Sequence, residues 1–252
     1  MADWTTFLSA MTLVLVRVSG MVAFAPFFSS NALPIRTKAV FVGAVAFLLA
    51  PLAATLPAAR SAISLPALLS ELAVGLVYGL ALAMMMETLL FAGQICGLQF
   101  SFSLVNLLDP NSMIETAVLG QMLSWLGVLV IIGSGLDRSL LAAVVRSFSA
   151  VPVGQAVMQA KTGVALAMMA GGIFLAGVQL AAPVMAAALA VEVTVALVAR
   201  LSPQLPSLVI SVPAKTMVSY VVLIASLAVW PGWIERHFTT LLDAAAKLLV
   251  RA

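Results

Sequence analysis

Six long apolar runs constrain this chain more than anything else in it. They lie at approximately 8–24, 39–57, 68–91, 117–132, 164–199 and 208–230. A helix that crosses a bilayer needs about 20 apolar residues, within a range of about 17–25. Several of the runs fit one crossing each. Of the 252 residues, 63% are hydrophobic and only 8% charged, where a soluble domain carries about 25% charged residues. The expected class is an all-α integral membrane protein. Residues 1–252 are read as a single membrane domain, with no soluble domain attached.

Two runs depart from a simple crossing. The run 164–199 is too long for one span and too short for two with a comfortable loop. Gly171, Gly172 and Pro183 interrupt it. Proline removes a backbone donor and kinks a helix, so the run reads as a long kinked helix or as a tight helical hairpin. The stretch 234–252 alternates charges with Phe238, Leu241, Leu242, Leu248 and Leu249 at helical spacing. It is expected to form an amphipathic helix, lying on the membrane surface or exposed as a solvated tail. No Lys or Arg precedes the first apolar run, so no cleaved signal peptide is expected.

Basic residues flank the runs on both sides. With six crossings, Arg60, Arg138, Arg146, Lys161, Arg236, Lys247 and Arg251 fall on one side, and Arg36, Lys38, Arg200 and Lys215 on the other. Lys and Arg in short loops set orientation only when the two sides differ clearly. The modest bias here fits helices that do not all cross in the ordinary way.

Between residues 92 and 115 the chain turns weakly polar: AGQICGLQFSFSLVNLLDPNSMIE. Irregular backbone at membrane depth is tolerated only where protein buries it or where it lines a cavity. The segment is therefore a candidate pore, gate or substrate pathway.

Four ionisable groups sit inside apolar runs: Arg17, Glu71, Glu87 and Glu192. Facing lipid, such a group costs roughly 2.5–3.5 kcal/mol on insertion scales, so all four are expected to be buried in protein or to face water. They serve ion coupling, or they form pairs that fix helix packing. Gly75 and Gly79, and again Gly93 and Gly97, form GxxxG patterns that let backbones approach closely. Met84, Met85 and Met86, with Met168 and Met169, are either a flexible seal or ordinary packing.

Catalysis finds no support in the sequence. HExxH, CxxC, GxSxG and phosphate-loop patterns are all lacking. The single His237 and single Cys96 leave neither a His-based metal site nor an internal disulfide. No cofactor, metal or enzymatic activity is expected. A net charge of +3 gives no case for nucleic acid.

Several short motifs, taken together, resemble one family. They are Arg17-Val-Ser-Gly20, Phe24-Ala-Pro26 and Pro34-Ile-Arg36-Thr-Lys38, then Glu71-x3-Gly75-x3-Gly79 and Ala92-Gly93-x3-Gly97-x-Gln99. Asp109-Pro110, Ser147-Phe148-x3-Pro152-x-Gly154, Pro183, Arg200-Leu-Ser-Pro203-Gln204 and Pro213-x-Lys215 follow in order. Their order and spacing are similar to those of FliR proteins over nearly the whole chain. The resemblance implies a subunit of the flagellar type III protein-export gate in the bacterial inner membrane, at the flagellar basal body. FliP-like and FliQ-like gate subunits and an FlhB-like protein would be its partners, with unfolded export substrates passing through and membrane lipid around it. It further implies long kinked helices and hairpins in a helical, pore-enclosing assembly of several chains. Residues about 1–160 would be FliP-like and about 161–252 FliQ-like.

On this resemblance, Leu104, Val105, Asn106, Leu107, Leu108, Asp109, Pro110, Asn111, Ser112 and Met113 form the plug of the closed channel. The apolar members would close it by contact and dewetting. Gly93 and Gly97 would supply a bend. Asp109 would start the following turn, or Asp109-Pro110 would merely end a helix. The chain departs from many relatives where Leu136 and Asp137 follow Gly135 and where Pro206-Ser207 stands. A different class of function is a secondary transporter of a small solute or ion, built around Glu71, Glu87, Glu192 and a helix broken at Gly93–Gly97.

Overall fold

A computed structural model describes residues 4–24, 34–54, 63–100, 117–151, 153, 160–202 and 207–250. Among them are eight helices: α1 (Trp4–Phe24), α2 (Ile35–Ala54), α3 (Leu65–Gln99), α4 (Ala117–Gly133), α5 (Leu136–Ala150), α6 (Ala160–Leu201), α7 (Ser207–Ser226) and α8 (Trp230–Val250). No strand occurs among the described residues. Four helices are long and apolar enough to cross a membrane, and up to six spans result if α4 with α5, and α7 with α8, each count as one broken span. The protein is an all-α membrane protein.

Local sequence accounts for the helix ends. Gly135 sits at φ 69 and caps the start of α5. That left-handed conformation suits a residue without Cβ, and it separates α4 from α5. Between α7 and α8, Ala228 and Val229 donate to carbonyls three residues back, and Pro231 then stands in the first turn of α8, where its missing donor costs little.

Of the two readings of the run 164–199, a long helix and not a hairpin is found: it is one continuous helix of 42 residues with Pro183 inside it. Helix α3 runs unbroken through Gly93 and Gly97 to Gln99. Glycine only permits a bend, and the apolar neighbours on both sides keep the helical ladder intact here. The stretch 136–150 forms a helix of its own, α5, although it is no apolar run.

The chain forms two compact units, each discontinuous in sequence. Unit one comprises Met1–Met85, Ile131–Ala170 and Arg236–Ala252; unit two comprises Met86–Val130 and Gly171–Glu235. In unit one, α1, the first part of α3, α5 and the amphipathic α8 share a core that includes Leu13, Val14, Val18, Val74, Val77, Phe148 and Phe238. Phe7 meets Phe47 edge to face at 6.1 Å, which ties α1 to α2. In unit two, the end of α3 packs on α4 and α6. Phe100 stacks on Tyr220 with centroids 4.2 Å apart.

Candidate functional site

The polar centre of unit one is built around Arg17. Its Nε donates to Glu71 Oε2 at 2.5 Å and its Nη2 to Glu71 Oε1 at 3.0 Å. Nη1 donates to Ser147 Oγ at 3.0 Å, and Nη2 also reaches the Val151 carbonyl at 3.2 Å. The guanidinium lies over the Phe148 ring, 4.2 Å from its centroid. Both charged residues are buried, at 2% and 0% exposure.

Each contact has a local cause. Glu71 and Gly75 are one turn apart on α3, and a Cβ on Gly75 would collide with the Arg17 carbonyl. Gly79 likewise lies against the Met21 carbonyl, and Gly20 against the Leu72 carbonyl. Small residues let α1 and α3 approach until Arg17 meets Glu71 without a long reach. Ser147 returns its own hydroxyl proton to the Val144 carbonyl at 2.6 Å, which leaves its lone pairs for Arg17. A fork-to-fork Arg–carboxylate pair is among the stronger charge-assisted contacts. Here it joins α1, α3 and α5.

Of the four intramembrane charges, the structure buries two and pairs them. The other two are not buried by the described residues: Glu87 is exposed, and Glu192 is 52% exposed and paired with Lys215 of α7.

The glycines act inside the chain. Gly93 faces the backbone of Gly120 on α4, and Gly177 faces Phe91 and the Thr88 carbonyl. Gly97 is buried. Met84, Met85 and Met86 are packed in the interior, whereas Met168 is 72% exposed. Pro183 is exposed on α6. The expected plug, residues 104–113, lies outside the described residues. Sequence reading missed the contributions of Ser147, Phe148 and Val151 to the Arg17 centre. Their signal was the helical recurrence of Leu136, Leu140, Val144 and Ser147-Phe148.

Among the described residues no group of three or more His, Cys, Asp or Glu side chains is placed to hold a metal. What the site defines is a membrane protein whose polar centre locks helices together. Among the described residues, large apolar side chains are exposed on α2, α4, α6 and α7. The chain belongs to the family described as "Bacterial export proteins, family 1", which matches residues 8–241. It is 25% identical to the flagellar biosynthetic protein FliR of Escherichia coli K12 over 98% of this chain and 95% of that one. The FliR of Caulobacter vibrioides is 28% identical over 89% of this chain and 91% of its own length. That of Bacillus subtilis is 29% identical, over 71% of this chain and 70% of its own length. The resemblance read from the motifs is borne out.

Proposed function

We propose that this chain is a non-enzymatic subunit of the flagellar type III protein-export gate. It forms part of an inner-membrane channel, at the flagellar basal body, through which unfolded flagellar proteins are secreted. Its partners are FliP-like and FliQ-like subunits and an FlhB-like protein, with residues about 1–160 and about 161–252 resembling one copy of each of the two smaller partners. Residues 104–113 plug the closed channel.

One observation carries the reading. Helix α6 has 42 residues, a length of about 63 Å at 1.5 Å per residue. The hydrocarbon core is about 30 Å thick, and helices tilt by no more than about 40°, so lipid covers at most about 26 residues of it. Yet within Thr162–Leu201 an apolar window of 18 residues is only 17% buried by the described residues of its own chain. Exposed Val164, Met168, Phe174, Leu189, Leu197 and Leu201 run along its whole length. More of α6 is apolar and exposed than one bilayer crossing covers, which supports its burial against other protein chains. Transport energy comes from outside the chain.

The transporter reading loses its central element. Glu71 is buried and held by Arg17, and α3 is unbroken at Gly93 and Gly97. The test is purification from native membranes in mild detergent, with every co-purifying chain identified. Two small helical membrane proteins are expected in stable association. A chain that purifies alone, and drives proton- or sodium-coupled uptake in liposomes, overturns the proposal.

A further inference from the structure

Glu87 stands apart from the other charges of the apolar helices. Arg17 and Glu71 neutralise each other, and Glu192 is held by Lys215. Glu87 is exposed and, among the described residues, makes no hydrogen bond or ion pair. Lys215, the described lysine of the same unit, is already committed.

The surroundings of Glu87 form a strip with two walls. On one side α4 grips α3: Gly120 abuts Gly93, and Gly127 lies against Leu89. On the other side α6 grips it: Gly177 abuts Phe91 and the Thr88 carbonyl. The helical period leaves a single row between these contacts, with Glu87, Gln94 and Leu98 at i, i+7 and i+11, and all three are exposed. Half-buried Leu90 and Phe91 border the row. Phe91 meets Phe174 edge to face at 5.2 Å, and Phe174 itself is 62% exposed.

Neither simple solvent suits this strip. Hydrocarbon would satisfy the leucine and the phenylalanines but strand the carboxylate. Water would hydrate the carboxylate but leave a continuous apolar border wet. A helix that is apolar and carries one cation satisfies both requirements. We propose that the strip docks an apolar helix of a partner chain, whose lysine or arginine pairs with Glu87 while a polar group meets Gln94. The inference rests on the export-gate reading for the presence of partner chains, and adds which surface one of them takes and by what charge.

The test uses the full complex purified from native membranes. Glu87→Gln keeps the shape and removes the charge; Glu87→Lys reverses it. Recovery of at least one partner is expected to fall at least tenfold for Gln and further for Lys, while Glu87→Asp retains part of it. Because Glu87 is exposed and makes no hydrogen bond or ion pair among the described residues, the yield and melting temperature of the chain itself should stay at wild-type values. Partner recovery within twofold of wild type for both Gln and Lys overturns the inference. A photo-cross-linking residue at Leu98 gives an independent reading. An adduct with a partner chain is expected, and adducts with lipid alone overturn it. A wild-type chain that purifies without partners sinks the export-gate reading instead, so the two failures are distinguishable.

Discussion

Arg17 and Glu71 show how a residue pair can be expensive to break and cheap to replace. Removing one member leaves a buried charge without its partner, at a cost of about 3–5 kcal/mol. Glu71→Ala or Arg17→Ala should therefore lower the melting temperature of the purified protein steeply. The double change Arg17→Met with Glu71→Leu should recover most of that loss, because no charge remains stranded. If the double variant melts as low as the worse single one, the pair is not the tie described above. Gly75 gives a second contrast. A methyl group there meets the Arg17 carbonyl, whereas Gly171 has nothing within 4 Å of a built Cβ. Gly75→Ala should destabilise by about 1–3 kcal/mol, and Gly171→Ala should be neutral or stabilise by up to about 1 kcal/mol. Equal melting temperatures for the two variants would contradict the close approach of α1 and α3.

At the scale of elements, the apolar runs were legible and their interruptions were not. Span length and composition located α1, α2, α4, α6 and α7 to within about four residues, and α3 likewise at its start, although it runs on past residue 91 to Gln99. The amphipathic period of 234–252 emerged as α8, whose Ile234, Phe238, Leu242, Ala245 and Leu249 are buried. Gly93 misled because a helix-weakening residue lowers propensity by a fixed amount, while a long apolar context in lipid penalises every unpaired backbone group. Helix α5 escaped because Arg138 and Arg146 break its apolar character. Its helical period is carried by Leu136, Val144 and Phe148, all buried. For α6 the expectation is specific. Leu189 and Leu197 are 61% and 58% exposed and lie on one face, eight residues apart. The double substitution Leu189→Ser and Leu197→Ser should shift the stability of the chain itself by no more than about 0.5 kcal/mol per site, yet sharply reduce partner recovery. Unchanged recovery would mean that lipid, not protein, covers that face.

At the scale of the whole molecule, large apolar side chains lie exposed along α2, α4, α6 and α7, and the proposed function has other subunits cover part of them. Four of the motif residues, Arg17, Glu71, Gly75 and Gly79, turned out to be one internal joint of unit one rather than part of a pathway. Glu87 and Glu192 are exposed on the described chain, and one sequence cannot tell burial by its own chain from burial by a neighbour. Under the proposed function the channel role falls to residues 104–113, whose Leu104, Val105, Leu107 and Leu108 would supply an apolar seal that excludes water. The most direct measurement is the ion conductance of the assembled complex in a planar bilayer, with and without residues 105–111. Deletion should raise conductance well above the closed level while the partner chains still co-purify in full. A correctly assembled deletion complex that stays at the closed level would contradict the account.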